Sequence, residues 1–197
     1  MPDKIGSLDI AYVNKEFFSS FLCEPKELVP FKTAWGWQQK KRNLLFQKGL
    51  APHSVWLLQH QPCYTIGRGG DKNNVLFDIS NSDLEFYRID RGGEVTHHLP
   101  GQLVVYLVID LRRYKTDLHW YLRQLEGVII DVLNELGLKG ERKNGLTGIW
   151  CNEFKIGSIG VGCSKWITQH GLSLNIDCDM KGFESIVPCG LYGEKIG

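Results

Sequence analysis

RGGEVTHHLPGQLVVYLVIDL, residues 91–111, is the stretch from which the rest of the chain is read. Gly92 and Gly93 ask for a tight turn or a close backbone approach, which residues with a Cβ resist. Beyond His97, His98 and Pro100-Gly101 the sequence becomes strongly apolar. Residues 103–111, rich in Val, Leu and Ile with Tyr106 among them, have the character of a strand buried on both faces. A glycine loop is thus carried at the edge of a core strand, where backbone N–H groups would grip a ligand such as an acyl chain or a phosphopantetheine arm. Taken alone, Gly-Gly before a strand is commonly just a turn, and a His-His pair is commonly scaffold.

Working outward toward the amino terminus, residues 83–90 form a predicted strand feeding Arg91. Residues 55–60 and 63–67 form two short ones around Gln61-Pro62, followed by the turn-rich loop GRGGDKNN with Arg68 at its mouth. Residues 29–49 carry Phe31, Ala34, Trp35, Gln38 and Leu45 along one helical side, with Gly49 as the stop. Lys40, Lys41 and Arg42 fall on the other side, as a solvated face or a landing site for an acidic partner. What precedes residue 29 is read as irregular. Toward the carboxy terminus, residues 117–137 give the clearest helix, with Leu118, Tyr121, Leu122, Leu125, Val128, Ile129, Val132, Leu133 and Leu136 as its apolar stripe and Gly137 just past its end. At about 1.5 Å per residue this helix crosses the domain and is expected to cover one face of a sheet. Residues 148–151 and 154–163 flank Asn152-Glu153 as a hairpin, and residues 171–176 add a strand.

The whole chain of 197 residues, 43% hydrophobic and without a linker, is expected to form one domain. Lys and Arg total 23 against 22 Asp and Glu, which argues against a dedicated nucleic-acid binder. The six cysteines show neither a CxxC pair nor zinc-module spacing, so free thiols in a reducing cytosol are expected. No apolar run approaches the roughly 20 residues of a membrane span, and the first residues lack a signal layout. The composition therefore predicts a soluble cytoplasmic protein with no membrane association.

Two chemical groups stand in unusual surroundings. In KIGSIGVG, Lys155 immediately precedes three closely spaced glycines; it is an ordinary strand lysine unless it faces a cleft that desolvates its amine. Cys189, wedged between Pro188 and Gly190, is an inert thiol or a nucleophile presented on a stiff turn.

The segments RGGEVTHHLPGQLVVY, GIWCNEFKIGSIGVG, ITQHGLSLNI and IVPCG, in this order and joined by VPFKTAW and HQPCYTIGRG, resemble the lipoyl(octanoyl) transferases over residues 29–191. The resemblance implies an α+β fold, a mainly antiparallel or mixed sheet backed by helices, as in the catalytic domains of biotin and lipoate protein ligases. It implies transfer of an octanoyl group from octanoyl-acyl carrier protein to a lysine of lipoyl domains, those of 2-oxoacid dehydrogenase complexes and the glycine cleavage H protein. It places the acyl-accepting cysteine on Cys189 and its partner lysine on Lys155. The substrate-lining positions fall on Arg91, Gly92, Gly93, Glu94, Val95, Thr96, His97 and His98, on Ser158, Ile159 and Gly160, and on Gly171, Leu172 and Ser173. Because the donor thioester already carries the activation, neither ATP nor a metal is expected. His98 and His170 are expected to shape the pocket rather than act as base. Lys40, Lys41 and Arg42, or Arg112, Arg113 and Lys115, are candidates to guide an acidic donor.

The chain departs from the family where Tyr-His-Gly-Pro-Gly is common: His97-His98-Leu99-Pro100-Gly101 adds a side chain to the loop. It also ends at Gly197, eight residues past Cys189, where family members continue for a few dozen, so either the sequence is trimmed or closing elements are missing. Two rival readings remain: an ATP-dependent lipoate or biotin ligase on the same scaffold, revealed by ATP–pyrophosphate exchange, and a non-catalytic acyl-carrier or lipoyl-domain binding module, which forms no acyl-enzyme. A zinc site on His97-His98 is weaker, because adjacent side chains on extended backbone point apart.

Overall fold

The computed structural model describes residues 9–15, 18–48, 51–80, 82–190 and 192–197, with residues 9–15, 18, 19 and 48 described by their backbone alone. In chain order come β1 (Asp9–Lys15), β2 (Phe18–Glu24), α1 (Phe31–Lys48), β3 (His53–Leu58), β4 (Cys63–Ile66), β5 (Phe86–Arg88), β6 (Thr96–His98) and β7 (Gln102–Val108). Then follow α2 (Leu118–Glu135), β8 (Gly140–Glu141), β9 (Ile149–Cys151), β10 (Phe154–Ser164) and β11 (Ile167–Asn175). An eight-stranded sheet runs β1-β2-β3-β7-β11-β10-β9-β8, antiparallel throughout except where β2 meets β3. A three-stranded sheet, β5-β4-β6, lies apart from it. This is the mixed sheet with helices that the sequence led us to expect.

The central strand β7 separates two cores. Val104, Tyr106 and Val108 join Phe31, Ala34 and Leu45 of α1, while Val105 and Leu107 pack with Tyr121, Leu125, Ile129 and Leu133 of α2 on the opposite face. Both faces of the strand are covered, the α1 face more completely, since the residues facing α2 keep partial exposure. Asp117 caps α2 by accepting a hydrogen bond from the Trp120 N–H at 2.9 Å, and Gly137 at φ 76° ends it. Its apolar stripe is wider than its buried face, because Val128, Val132 and Leu136 remain exposed. A third core, Tyr64, Ile66, Val95, Leu99, Phe183 and Ile186, lies at the small sheet. Leu99 is buried there, so the side chain added to the family's glycine position fills this core and does not enter the pocket described below.

Several expectations are corrected. Within the stretch before residue 29, β1 and β2 pair as antiparallel strands, residues 1–8, 16 and 17 lying outside the described residues. The strand predicted over residues 83–90 shortens to β5, and the two strands predicted around Gln61-Pro62 belong to different sheets. Gly49, the predicted stop of α1, lies outside the described residues. The final strand begins at Ile167, four residues earlier than predicted, because Lys165 and Trp166 at φ 48° and 64° close a two-residue turn from β10. The basic stretch on α1 is not one solvated face: Lys41 Nζ sits 4.6 Å from the Phe21 ring centroid, and Arg42 Nε and Nη1 are buried.

Candidate active site

Tight packing of glycines brings the functional segments together. A Cβ on Gly162 would lie 2.1 Å from the Asp90 carbonyl oxygen, and one on Gly160 would lie 2.9 Å from Arg91 Cδ. Gly160 and Gly162 are therefore where the loop after residue 89 lies flat on β10, pinned by the Gly92 N–H donating to Val161 O at 3.0 Å. Gly93, at φ 88°, makes the turn that follows. Arg91 fixes the loop from inside, donating to Gly92 O, Thr65 O, Thr65 Oγ1 and Glu94 O at 2.8–3.0 Å. Burial lowers its pKa, opposed by the charges of Cys189, Tyr106 and Glu94.

Cys189 sits in a 3-10 turn, Pro188–Gly190, with φ 57° and ψ 16°. That left-handed backbone is uncommon for a residue with a Cβ and costs on the order of 1–3 kcal/mol. The Cys189 N–H donates to Val95 O at 3.0 Å, and the Val187 N–H donates to Asn74 O at 2.7 Å. Asn74 is held in turn by Glu94, whose Oε2 accepts from Asn74 Nδ2 at 3.0 Å and from the Asp71 N–H at 2.8 Å. The thiol is half-buried, and its Sγ lies 3.8 Å from Ser158 Oγ.

Lys155 reaches the same cavity from β10. The strand carries one extra residue, Ile156, between its pairings Lys155↔Trp150 and Gly157↔Ile149, a bulge of the kind that re-aims a neighbouring side chain. Lys155 is 2% exposed, its Nζ lies 5.3 Å from the Trp150 ring centroid, and the α-carbon of Gly148 leaves no room for a Cβ beside its Cε. Its backbone is paired with the last residues of the chain, the Lys155 N–H donating to Lys195 O at 2.8 Å and the Gly197 N–H to Lys155 O at 3.1 Å. Glu126 of α2 steadies the facing loop. Its buried carboxylate accepts from Arg123 at 2.6 Å, Arg142 at 2.8 Å and the Gly148 N–H at 3.3 Å.

Cys189 and Lys155 line one cavity of ≈ 210 Å³. Arg91, Gly93, Glu94, Thr96 and His98 line it from the loop and β6; Ser158, Ile159 and Gly160 line it from β10, and Gly171, Leu172 and Ser173 from β11. Gly92, Val95 and His97 do not. Val95 is buried in the third core, and His97 stacks on Tyr64 with centroids 4.2 Å apart, on the opposite side of β6 from His98. His170 lines it too, and so do Ile89, Tyr106 and three residues of one loop, Gly145, Leu146 and Thr147; the last five were not expected. Nothing in the sequence pointed to these, since Tyr106 looks like one more core residue and the loop carries only turn chemistry.

The Ile159 side chain packs toward α2, so this residue faces the cavity through its backbone. Its peptide groups point away from β11: in an antiparallel pairing they follow Val161, whose carbonyl is taken by Gly92, whereas Ser158 and Gly160 bond to β11. Of the N–H groups of Ser158, Ile159 and Gly160, the one on the free edge of β10 is that of Ile159.

The histidines here are neutral. Burial pushes His170 down to about 3 and holds His98 well below its usual value, so neither is a competent base near neutrality. Arg112 and Arg113 are engaged by Asp110 at 2.7 and 3.7 Å, and Lys115 by Asp117 at 3.0 Å, which leaves that cluster a weak candidate for guiding an acidic partner. Among the described residues no helix is long and apolar enough to cross a membrane, and no His, Cys, Asp and Glu cluster suits a metal ion.

The lipoyl protein ligase A/B catalytic-domain family matches residues 32–196. An octanoyltransferase of Prochlorococcus marinus strain MIT 9211 is 60% identical over 196 residues, covering 100% of this chain and 83% of the relative. One of strain MIT 9313 is 60% identical over 197 residues, with 100% and 81% coverage. Among solved structures, a lipoate-protein ligase A bound with ATP superposes with a TM-score of 0.68 at 16% identity, over 90% of this chain and 74% of that one. A bipartite lipoate protein ligase of Thermoplasma acidophilum, studied with its E2 lipoyl domain, gives 0.63 at 14% identity, over 87% and 71%. The solved structures share the fold, and the sequence relatives give the branch: this chain belongs to the lipoyl protein ligase A/B catalytic-domain family, among its octanoyltransferases.

Proposed function

We propose that the chain moves an octanoyl group from octanoyl-acyl carrier protein to a lysine of lipoyl domains, through a thioester on Cys189. The observation that carries the reading is that Cys189 and Lys155, thirty-four residues apart, open into one cavity. A free thiol with an ordinary pKa near 8.5 is mostly protonated at pH 7, so the nucleophile needs a basic partner. Cys189 and Lys155 act as a unit sharing one proton, as neutral thiol and amine or as thiolate and ammonium.

The Cys189 thiolate attacks the thioester carbonyl, and the Ile159 N–H donates to the oxyanion that forms. As the Sγ–C bond becomes permanent, the bond from carbon to the pantetheine sulfur breaks. The departing thiolate takes the proton held by Lys155. The acceptor lysine, arriving as a neutral amine, then attacks the Cys189 thioester. Lys155 accepts a proton from its nitrogen, and the C–Sγ bond breaks to restore the Cys189 thiolate beside the Lys155 ammonium. The donor thioester supplies the activation, so the reaction consumes no nucleotide and needs no metal. Acceptors of this chemistry are the lipoyl domains of 2-oxoacid dehydrogenase complexes and the glycine cleavage H protein, in the cytoplasm.

Intact-mass measurement after mixing with octanoyl-acyl carrier protein tests this. The wild-type chain gains one octanoyl group, and Cys189→Ser gains none. An adduct that persists in Cys189→Ser removes Cys189 from the role.

A further inference from the structure

Resting on that reading, we infer that His170 is the specificity-determining residue of the pocket: its ring, set edge-on against Tyr106, stops the acyl chain near eight carbons. Ser158, whose hydroxyl touches Cys189 Sγ, pairs across the strands with Ser173. His170 lies three residues further along β11 and lines the same cavity. At about 3.3 Å per residue that separation is about 10 Å. An extended octanoyl chain advances roughly 1.3 Å for each C–C bond of about 1.5 Å, so its seven bonds span about 9 Å. A decanoyl chain is roughly 2.5 Å longer on the same geometry and meets the ring.

The ring is built to stay where it is. His170 has φ 63° within β11, where an extended backbone would be ordinary, and this conformation directs the side chain to the pocket. Its N–H is held at 2.7 Å by Oε1 of Gln38, a fully buried residue of α1 whose own Nε2 donates to Ala34 O. The ring meets Tyr106 at a centroid distance of 6.0 Å and 80°. Tyr106 is fixed in turn through its hydroxyl to His60 Nε2 at 2.8 Å, and His98 through Nδ1 to Gln102 at 2.7 Å. Behind these rings lies the core beneath α1.

Both ring nitrogens of His170 are buried without a hydrogen-bond partner among the described residues. Methylenes pushed past the end of an octanoyl chain would meet a wall that is backed by the packed core and cannot give way. Strain held in place by a long-range contact, at a residue facing a cavity, is what a functional constraint leaves behind.

The test compares octanoyl-, decanoyl- and dodecanoyl-acyl carrier protein as donors to wild type, His170→Gly and His170→Asn, reading the initial rate of adduct formation by intact mass. Gly and Asn are the residues most at home at this φ, so neither adds backbone strain. In both variants the decanoyl-to-octanoyl rate ratio should rise at least about tenfold over wild type, the size of discrimination that a methylene or two provides. His170→Phe, which keeps a ring in place, should hold the ratio near the wild-type value. An unchanged ratio in both His170→Gly and His170→Asn overturns the inference, and because the ratio is taken within one protein, a general loss of activity cannot imitate either result. Failure of the wild type to take an octanoyl group overturns the proposed function instead.

Discussion

Lowering the pH from 7 to 5.5 should remove about 6 kcal/mol of the stability of this fold, because five of its six histidines are held neutral in its interior. Burial pushes His53, His60 and His97 down to about 4 and His170 to about 3, and takes His98 well below its usual value. An imidazole whose folded pKa is depressed contributes nothing above its unfolded value of about 6.5 and costs stability progressively as pH falls from there toward 4. At pH 5.5 an imidazole in the unfolded chain is roughly nine-tenths protonated while the folded one is only a few per cent so, which costs about 1.2 kcal/mol per histidine relative to pH 7. Five such groups give about 6 kcal/mol, comparable with the whole net stability of an ordinary domain, about 5–15 kcal/mol. The carboxylates held low by their partners, Asp110 by Arg112 and Glu194 by Lys143, lose their contribution only at more acidic pH. Urea unfolding at pH 7, 6.5, 6 and 5.5 should give a free energy that steepens toward about 6 kcal/mol per pH unit. His97→Leu, which removes a ring with an unpartnered buried Nδ1, should lessen that slope by one proton's worth. A limiting slope below roughly 3 kcal/mol per pH unit, two protons or fewer, refutes the reasoning.

Three further outcomes are expected. Lys155→Met removes the proposed proton partner, so octanoyl adduct formation at pH 7 should slow at least about a hundredfold by intact mass; a rate like that of wild type excludes Lys155 from the role. Glu126→Gln removes the charge that accepts from Arg123 and Arg142, yet both guanidinia are half-exposed and can rehydrate, so the loss should be about 1–3 kcal/mol and the Tm should fall roughly 2–4 °C for each of these, as calorimetry would show. Gly162→Ala places a Cβ 2.1 Å from the Asp90 carbonyl oxygen, so the loop carrying Arg91 and Gly93 must lift from β10. Octanoyl adduct formation should slow at least about tenfold, and an unchanged rate would show that the loop does not need that contact.

Much of the fold was legible because its elements are locally consistent. The wide apolar stripe, Asp117 and Gly137 marked α2 within a residue or two, and the apolar run marked β7 as the strand between two cores, although the run continues to Leu111 and the strand ends at Val108, before the 3-10 turn that begins at Leu111. The glycines of KIGSIGVG marked close approach, though not what approached. Illegible were the early strand pair, whose sequence has no clear period-2 alternation, and the turn at Lys165 and Trp166, which lacks the Asn-Gly or Asp-Gly that usually signals one. The cavity wall made by Tyr106 and the Gly145–Thr147 loop depends on strands far apart in the chain being brought together.

The deeper limit concerns conformation at the site. Asn152, Lys165, Trp166, His170 and Cys189 are the non-glycine residues with positive φ among the described residues; the first three close turns, and the last two line the cavity. Each of those two is held by its own N–H donating to a distant acceptor, Gln38 Oε1 for His170 and Val95 O for Cys189. Local propensity disfavours both conformations, and these long-range contacts maintain them. Local preference is therefore overridden at the two residues proposed as nucleophile and as stop, Cys189 and His170. If the two strains serve the site, removing one of the acceptors should disturb transfer more than stability: Gln38→Leu, which leaves the His170 N–H unbonded, should lower unfolding free energy by about 1–3 kcal/mol while loosening the discrimination between octanoyl and decanoyl donors. Equal loss of both acyl rates with discrimination intact would mean that the His170 backbone is merely tolerated there and does not position the ring.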